Sequence, residues 1–198
     1  MFTRAANAVI QRAAYFSELD MLGDADFGVS VSKGLDLVLQ RLSLENGNPD
    51  VGTILTLAGD AFSMEVGSTI GVLLGCALTE AGKAMEGRKT LDAAGLATIL
   101  RTGLVAVETT GHATVGDKTL LDALEPAAIA AEVAASQSEG LGEALVRAAS
   151  AAEAGCDLTV NMVARVGRSS YLGERSRGGA DPGAAFIAFF LRSMSQPE

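Results

Sequence analysis

Three carboxylates fall within seven residues at Asp20, Asp24 and Asp26, in the string LDMLGDADFG. At such separations they repel one another unless a cation neutralises them. Oxygen-only donors suit Mg²⁺ or Ca²⁺, whereas a Zn²⁺ site would draw on Cys or His. Gly23 and Gly28 flank the acids and let the backbone turn, so that carboxylates two and four residues apart can face one centre. An EF-hand does not fit. That loop ends on a Glu at position 12, and position 12 counted from Asp20 is Val31. An acidic turn between two helices is the competing reading of the same spacing.

A second chemical signal lies at 164–183, ARVGRSSYLGERSRGGADPG, with arginines at 165, 168, 175 and 177 in an otherwise acidic chain. The guanidinium fork suits phosphate because it donates two hydrogen bonds at once. At least two of these arginines are expected to pair internally with Glu174 and neighbouring acids. Asp181-Pro182-Gly183 reads as a helix start, with Asp as N-cap and Pro at the first helical position. The segment Gly67-Ser68-Thr69-Ile70-Gly71 opens another helix with small and hydroxyl residues, and freed amides at a helix start can face an anion.

Residues 111–119, GHATVGDKT, resemble a P-loop only superficially. Asp117 separates Gly116 from Lys118, and no strand precedes it. Lys118 and Thr119 are instead expected to open a helix whose amides can face an anion. His112, the single histidine, has no acidic partner in sequence and reads as a surface residue.

The elements that must position these residues are helices. The chain has 198 residues, 48% of them hydrophobic, with no Trp and two Tyr. That length suits one domain, and few β-branched or aromatic runs occur. Apolar periodicity predicts helices over 3–18, 29–43, 50–63, 67–83, 91–109, 118–135, 140–161 and 182–194. The turn ENGNPD at 45–50 separates the second from the third. Lys89-Thr90 is expected to cap the fifth helix and Ser138 the seventh. Short connections make sequential helices antiparallel, so the expected fold is all-α, an eight-helix antiparallel up-and-down barrel or bundle.

The net charge of −9 argues against nucleic acid and anionic membrane surfaces as partners. Cys76 and Cys156 read as reduced core residues. Neither a signal peptide nor an apolar run of membrane length is visible, and a soluble cytoplasmic protein is expected. In an alternating barrel, the junctions after helices one, three, five and seven share one end. Those junctions are the aspartate turn, Gly67–Gly71, Gly111–Thr119 and the loop 165–183. One rim is therefore expected to gather the acids, the glycines and the basic residues Lys118, Arg165, Arg168, Arg175 and Arg177.

Three segments, GDADFG (23–28), GDKTLLD (116–122) and GRSSYLGERSRGGADPG (167–183), are similar in order and spacing to the nucleotide-binding L subunit of dihydroxyacetone kinases. The likeness extends over nearly the whole chain and implies a single nucleotide-binding domain over 1–198. It also implies an eight-helix barrel with nucleotide, ATP or ADP, and two Mg²⁺ at one rim. By this resemblance Asp20, Asp24 and Asp26 hold the metal. Phosphate and ribose contacts fall on Phe27, Gly28, Val29, Ser30 and Thr69, adenine lies near Gly111 and Leu120, and Arg168 with Asp181, Pro182 and Gly183 closes the pocket. Two departures stand out. Phe27 occupies the position of the family's usual His, and Ile70 that of a serine near the phosphates, for which Ser68 or Thr69 can compensate.

The implied activity is phosphoryl transfer to a small ketose held on a separate K-type subunit. This chain alone is not expected to phosphorylate dihydroxyacetone. The donor is either exchanging ATP or resident ADP recharged by a multiphosphoryl protein of the phosphotransferase system, and a homodimer stays open. The alternative is a non-catalytic L-like module that binds nucleotide or regulates a partner.

Overall fold

The structure, a computed structural model, describes residues 1–196 apart from Leu22 and Asn46. Among these residues it contains nine α-helices, one 3₁₀ segment and no strand. The α-helices are α1 (Phe2–Ile10), α2 (Ala13–Leu19), α3 (Phe27–Leu44), α4 (Val51–Glu65), α5 (Thr69–Ala84), α6 (Ala93–Gly111), α7 (Leu121–Ser136), α8 (Leu141–Thr159) and α9 (Pro182–Ser195). From α3 to α9 each helix packs on the next, and α1 packs on both α3 and α9, which closes the ring. The expected helical barrel is thus observed.

The first expected helix is broken. The Arg12 amide donates to the Val9 carbonyl at 2.9 Å, a tight turn that ends α1 without Gly or Pro. Restarting at Ala13 lets α2 deliver Phe16, fully buried, against Phe27, Phe186 and Phe189, while Arg12 lies over the Phe189 ring. This aromatic cluster joins α2, the start of α3 and the middle of α9. Opposite it, α7 and α8 meet through alanines. Ala127, Ala128, Ala131 and Ala134 face a helix carrying Ala144, Ala148, Ala149 and Ala152, all fully buried. Small side chains let these two helices pack closely.

Two expected caps are replaced. Asp92, not Lys89-Thr90, caps α6, its carboxylate accepting from the Gly95 amide at 2.7 Å. The acceptor must stand three residues before the amide it satisfies, and Thr90 is too far upstream. Ser138 adopts a left-handed φ of 57° just beyond α7, and Gly140 holds the N-cap position of α8. In the turn at 45–50, Asn46 lies outside the described residues. Its far end is fixed by Asp50, which accepts from Thr53 at 2.7 Å and from Gly87 at 2.9 Å.

Candidate functional site

The aspartate turn is built on one carbonyl. Asp20 O accepts from the Gly23 amide at 2.8 Å and from the Ala25 amide at 3.2 Å. The turn's left-handed residue is Ala25, at φ 56°, and neither flanking glycine supplies it. Gly23 instead leaves room for a carboxylate, since a Cβ there would fall on Asp20 Oδ1. Gly28 is a packing residue: a Cβ at that position would meet the Ala13 carbonyl, so glycine lets α3 start against α2.

Carboxylate oxygens of Asp20, Asp24 and Asp26 all lie within 4.8 Å of one another. Asp20 is half-buried, and its Oδ2 accepts from the Phe27 amide at 3.3 Å. Its proton affinity is raised, first by burial and then by the Asp26 charge, with the Phe27 hydrogen bond and Arg168 opposing. Asp26 occupies the N-cap position of α3 but makes no capping bond with its side chain. All three acids face a cavity of about 330 Å³. An oxygen-only donor set, crowded and open to that cavity, fits a hard divalent cation.

The remaining walls come from the other junctions expected at this rim. Ser68, Thr69 and Ile70 enter from the start of α5, and Gly111 and Leu120 from the ends of the α6–α7 connection. Asp181, Pro182 and Gly183 enter at the start of α9, with Arg168 at the start of the 3₁₀ segment (Arg168–Ser176). Ser68 caps α5 by accepting from Gly71 at 3.4 Å, and Asp181 caps α9 by accepting from Ala184 at 2.7 Å. Leu73 and Val107 complete an apolar wall that no local motif marks.

Four expected positions behave differently. Gly28, Val29 and Ser30 do not line the cavity; they belong to the first turn of α3, where successive side chains rotate away from a common direction. Gly28 is buried and Val29 is 65% exposed. Phe27 does reach the wall, yet its ring packs into the aromatic cluster against Phe16 and Phe186.

Only one of the four arginines reaches the cavity. Arg168 pairs with Asp24 across the opening. Arg165 pairs with Asp117, and Arg177 with Glu174 and the Asn161 carbonyl, the internal pairing expected of at least two. Arg175 is exposed and away from the wall. His112 is exposed at the C-cap of α6.

Lys118 does not open a helix. It is left-handed at φ 61°, and α7 begins three residues later at Leu121. Its ammonium turns inward and donates to the carbonyls of Ser176 at 2.6 Å, Gly179 at 2.7 Å and Met162 at 3.4 Å. Burial lowers its proton affinity, opposed by the nearby Asp181 charge. Asp181 is pushed up to about 7, chiefly by burial and further by Asp122, against the Ala184 amide and Lys118.

Two acids missed in the sequence hold the α6–α7 connection. Asp122 accepts from the Gly116 amide at 2.6 Å and the Thr119 amide at 2.7 Å, and Asp117 accepts from the Thr114 amide at 2.8 Å. The only local signal is their place in GDKTLLD, one acid directly after Gly116 and the other three residues after Thr119.

Residues 21–196 match the DAK2 domain. The chain belongs to the DAK2 domain family. It is 34% identical over 194 residues to the ADP-binding subunit DhaL of the PEP-dependent dihydroxyacetone kinase of Escherichia coli (strain K12), spanning 98% of this chain and 92% of that one. With the ADP-binding subunit DhaL of kinase 1 from Listeria innocua it shares 35% over 183 residues, 92% and 86% of the two chains.

The native crystal structure of the dihydroxyacetone kinase of C. freundii matches the whole of this DAK2 chain at a TM-score of 0.76 and 26% identity. The same kinase in complex with AMP-PNP and Mg²⁺ matches at 0.76 and 24%, which speaks to the fold alone. This chain spans 33% of that longer kinase. Among the described residues, no helix is long and apolar enough to cross a membrane.

Proposed function

We propose that this DAK2 chain, acting over 1–198 as one nucleotide-binding domain, is the nucleotide-bearing subunit of a ketose kinase. The observation that carries the reading is the meeting of Asp20, Asp24 and Asp26 with the α5 start, the α9 start and Arg168 around one cavity, in a chain that matches DhaL subunits over nearly their full length. The phosphoryl acceptor is a hydroxyl of a small ketose of the dihydroxyacetone class, held on a separate K-type subunit.

In this reading Asp20, Asp24 and Asp26 would hold two Mg²⁺. When bound, the metal supplies charge neutralisation at the phosphates and fixes their position. Ser68 and Thr69 offer hydroxyls and freed amides at the start of α5 to the phosphate oxygens. Arg168, paired with Asp24 here, would be free once a metal takes that carboxylate to offer its fork to the phosphoryl oxygens and stabilise the charge that develops on them. Ile70, Leu73, Val107 and Leu120 shelter the base in the apolar half of the cavity and exclude water. No side chain here is required as a covalent phosphoryl carrier.

Both DhaL relatives carry the description PEP-dependent, which favours resident ADP recharged by a multiphosphoryl protein over exchanging ATP. A homodimer is not required. The test is reconstitution with a K-type subunit and a panel of ketoses, using either ATP or a PEP-driven phosphoryl chain as donor. Turnover should need both chains and the PEP-driven donor. Turnover by this chain alone, or none with any K-type partner, would overturn the reading.

A further inference from the structure

We infer that Lys118 is a positioning residue that fixes the Arg168-bearing loop to the wall of the site. The inference rests on the nucleotide-site reading above. Residues 162–179 form a compact loop around the 3₁₀ segment, and one bond back to the end of α8 and one within the loop close its neck. The Gly178 amide donates to the Val160 carbonyl at 2.9 Å, and the Ala164 amide to Ser176 Oγ at 2.9 Å. These bonds shape the loop but do not attach it to the cavity. Attachment comes from the α6–α7 connection, where Asp117 O accepts the Arg165 amide at 3.1 Å and Lys118 reaches beneath the loop.

An ammonium has three donors and no acceptor. Here three carbonyls, from both arms of the loop, take all three at 2.6, 2.7 and 3.4 Å. A buried charge is costly unless fully hydrogen-bonded, and removing its partners or the charge itself leaves polar groups stranded. Lys118 is 8% exposed and holds a left-handed backbone that a non-glycine residue adopts only when its surroundings dictate it. That backbone carries the ammonium to the loop carbonyls, in place of the helix start expected at this position. Arg168 stands on the loop so anchored and reaches Asp24 from it. Lys118 borders the cavity too, but with its three donors taken by loop carbonyls it acts on the phosphates through Arg168.

The experiment uses the full chain with Lys118→Met, Arg168→Ala and the double variant, titrated calorimetrically with ADP in Mg²⁺ and digested with trypsin, whose targets include Arg168 and Arg175. Lys118→Met should weaken ADP binding about tenfold, the scale of a lost set of charge-assisted hydrogen bonds, and open the loop to trypsin at those arginines. Its helical signal should persist. Added to Arg168→Ala, it should cost no more than about twofold further, because both act on one contact. Lys118→Arg, which keeps the cation and its donors, should restore loop protection, and Lys118→Gln, which removes the charge but keeps a donor, serves as the test variant if methionine prevents folding. Unchanged affinity with an intact loop, or fully additive losses in the double variant, would overturn the inference. If the unaltered chain binds no nucleotide, the nucleotide reading fails, and the trypsin pattern alone then decides the anchoring role.

Discussion

Arg168 and Asp24, 144 positions apart in sequence, form an ion pair across the mouth of the cavity. The guanidinium thus stands beside the carboxylates that are the strongest candidate for a metal site. Its side chain is 69% exposed, so the pair adds little to folding, about 0–1 kcal/mol for such surface contacts. On the proposed reading its value is functional: the same fork leaves Asp24 for a phosphate once a cation satisfies the carboxylate.

Arg168→Ala should therefore leave the melting temperature nearly unchanged while weakening Mg·ADP binding roughly tenfold, the scale of a charge-assisted hydrogen bond. Arg168→Lys should recover only part of the loss, because an ammonium cannot reproduce the bidentate fork. Calorimetry on the two variants decides this, and wild-type affinity in Arg168→Ala would remove the arginine from the site.

Asp122 is the structural counterpart, a carboxylate only 3% exposed that satisfies two amides of the α6–α7 connection. Asp122→Ala strands both donors and should cost about 2–4 kcal/mol, at roughly 1–3 kcal/mol for each unsatisfied group with partial relief by water. Asp122→Asn should cost less, since its amide oxygen still accepts. Urea denaturation reads this as a lower midpoint at unchanged slope. An unshifted midpoint in Asp122→Ala would show that the two amides do not depend on this residue.

Asp181 sets a pH dependence. Its folded value of about 7 lies above the ordinary 3.8, so between these values the folded chain holds a proton that the unfolded chain has released. Its contribution to stability is therefore fully present below about pH 4 and is lost as pH rises through 7. Asp181→Asn keeps a cap acceptor and removes the titration. The variant should match the wild type near pH 4 and exceed it at pH 8. Melting curves across that range check the sign, and a constant difference between the two proteins would contradict it.

Much of the fold was legible because it depends on local period. The apolar spacing located the helices, with α1 and α2 run together as one, and the alternation of up and down helices brought the aspartate turn, Ser68–Thr69, Gly111 and the Asp181 turn to one rim. Most of what escaped depends on partners distant in sequence. Lys118 finds its carbonyls 58 and 61 residues away at Ser176 and Gly179, so no window around GDKT reveals that it turns inward. The break at Arg12 carries no Gly or Pro and is fixed by where Phe16 must pack. Thr90 looked like a cap by type, but Asp92 stands at the required offset from a free amide. Gly28 looked like a phosphate contact by resemblance, and the Ala13 carbonyl behind it shows the packing reason for glycine there.

The central claim is that the three carboxylates hold the metal through which a nucleotide is bound. Its most direct measurement is calorimetric titration of ADP with and without Mg²⁺, on the wild type and on Asp24→Ala and Asp26→Ala. The account predicts one tight, Mg²⁺-dependent site in the wild type, weakened at least about a hundredfold in either variant, consistent with loss of a direct metal ligand. Without metal the variants should be no less stable than the wild type, because each relieves repulsion among crowded acids. Nucleotide binding that ignores both Mg²⁺ and these substitutions, or no binding at all, would contradict it.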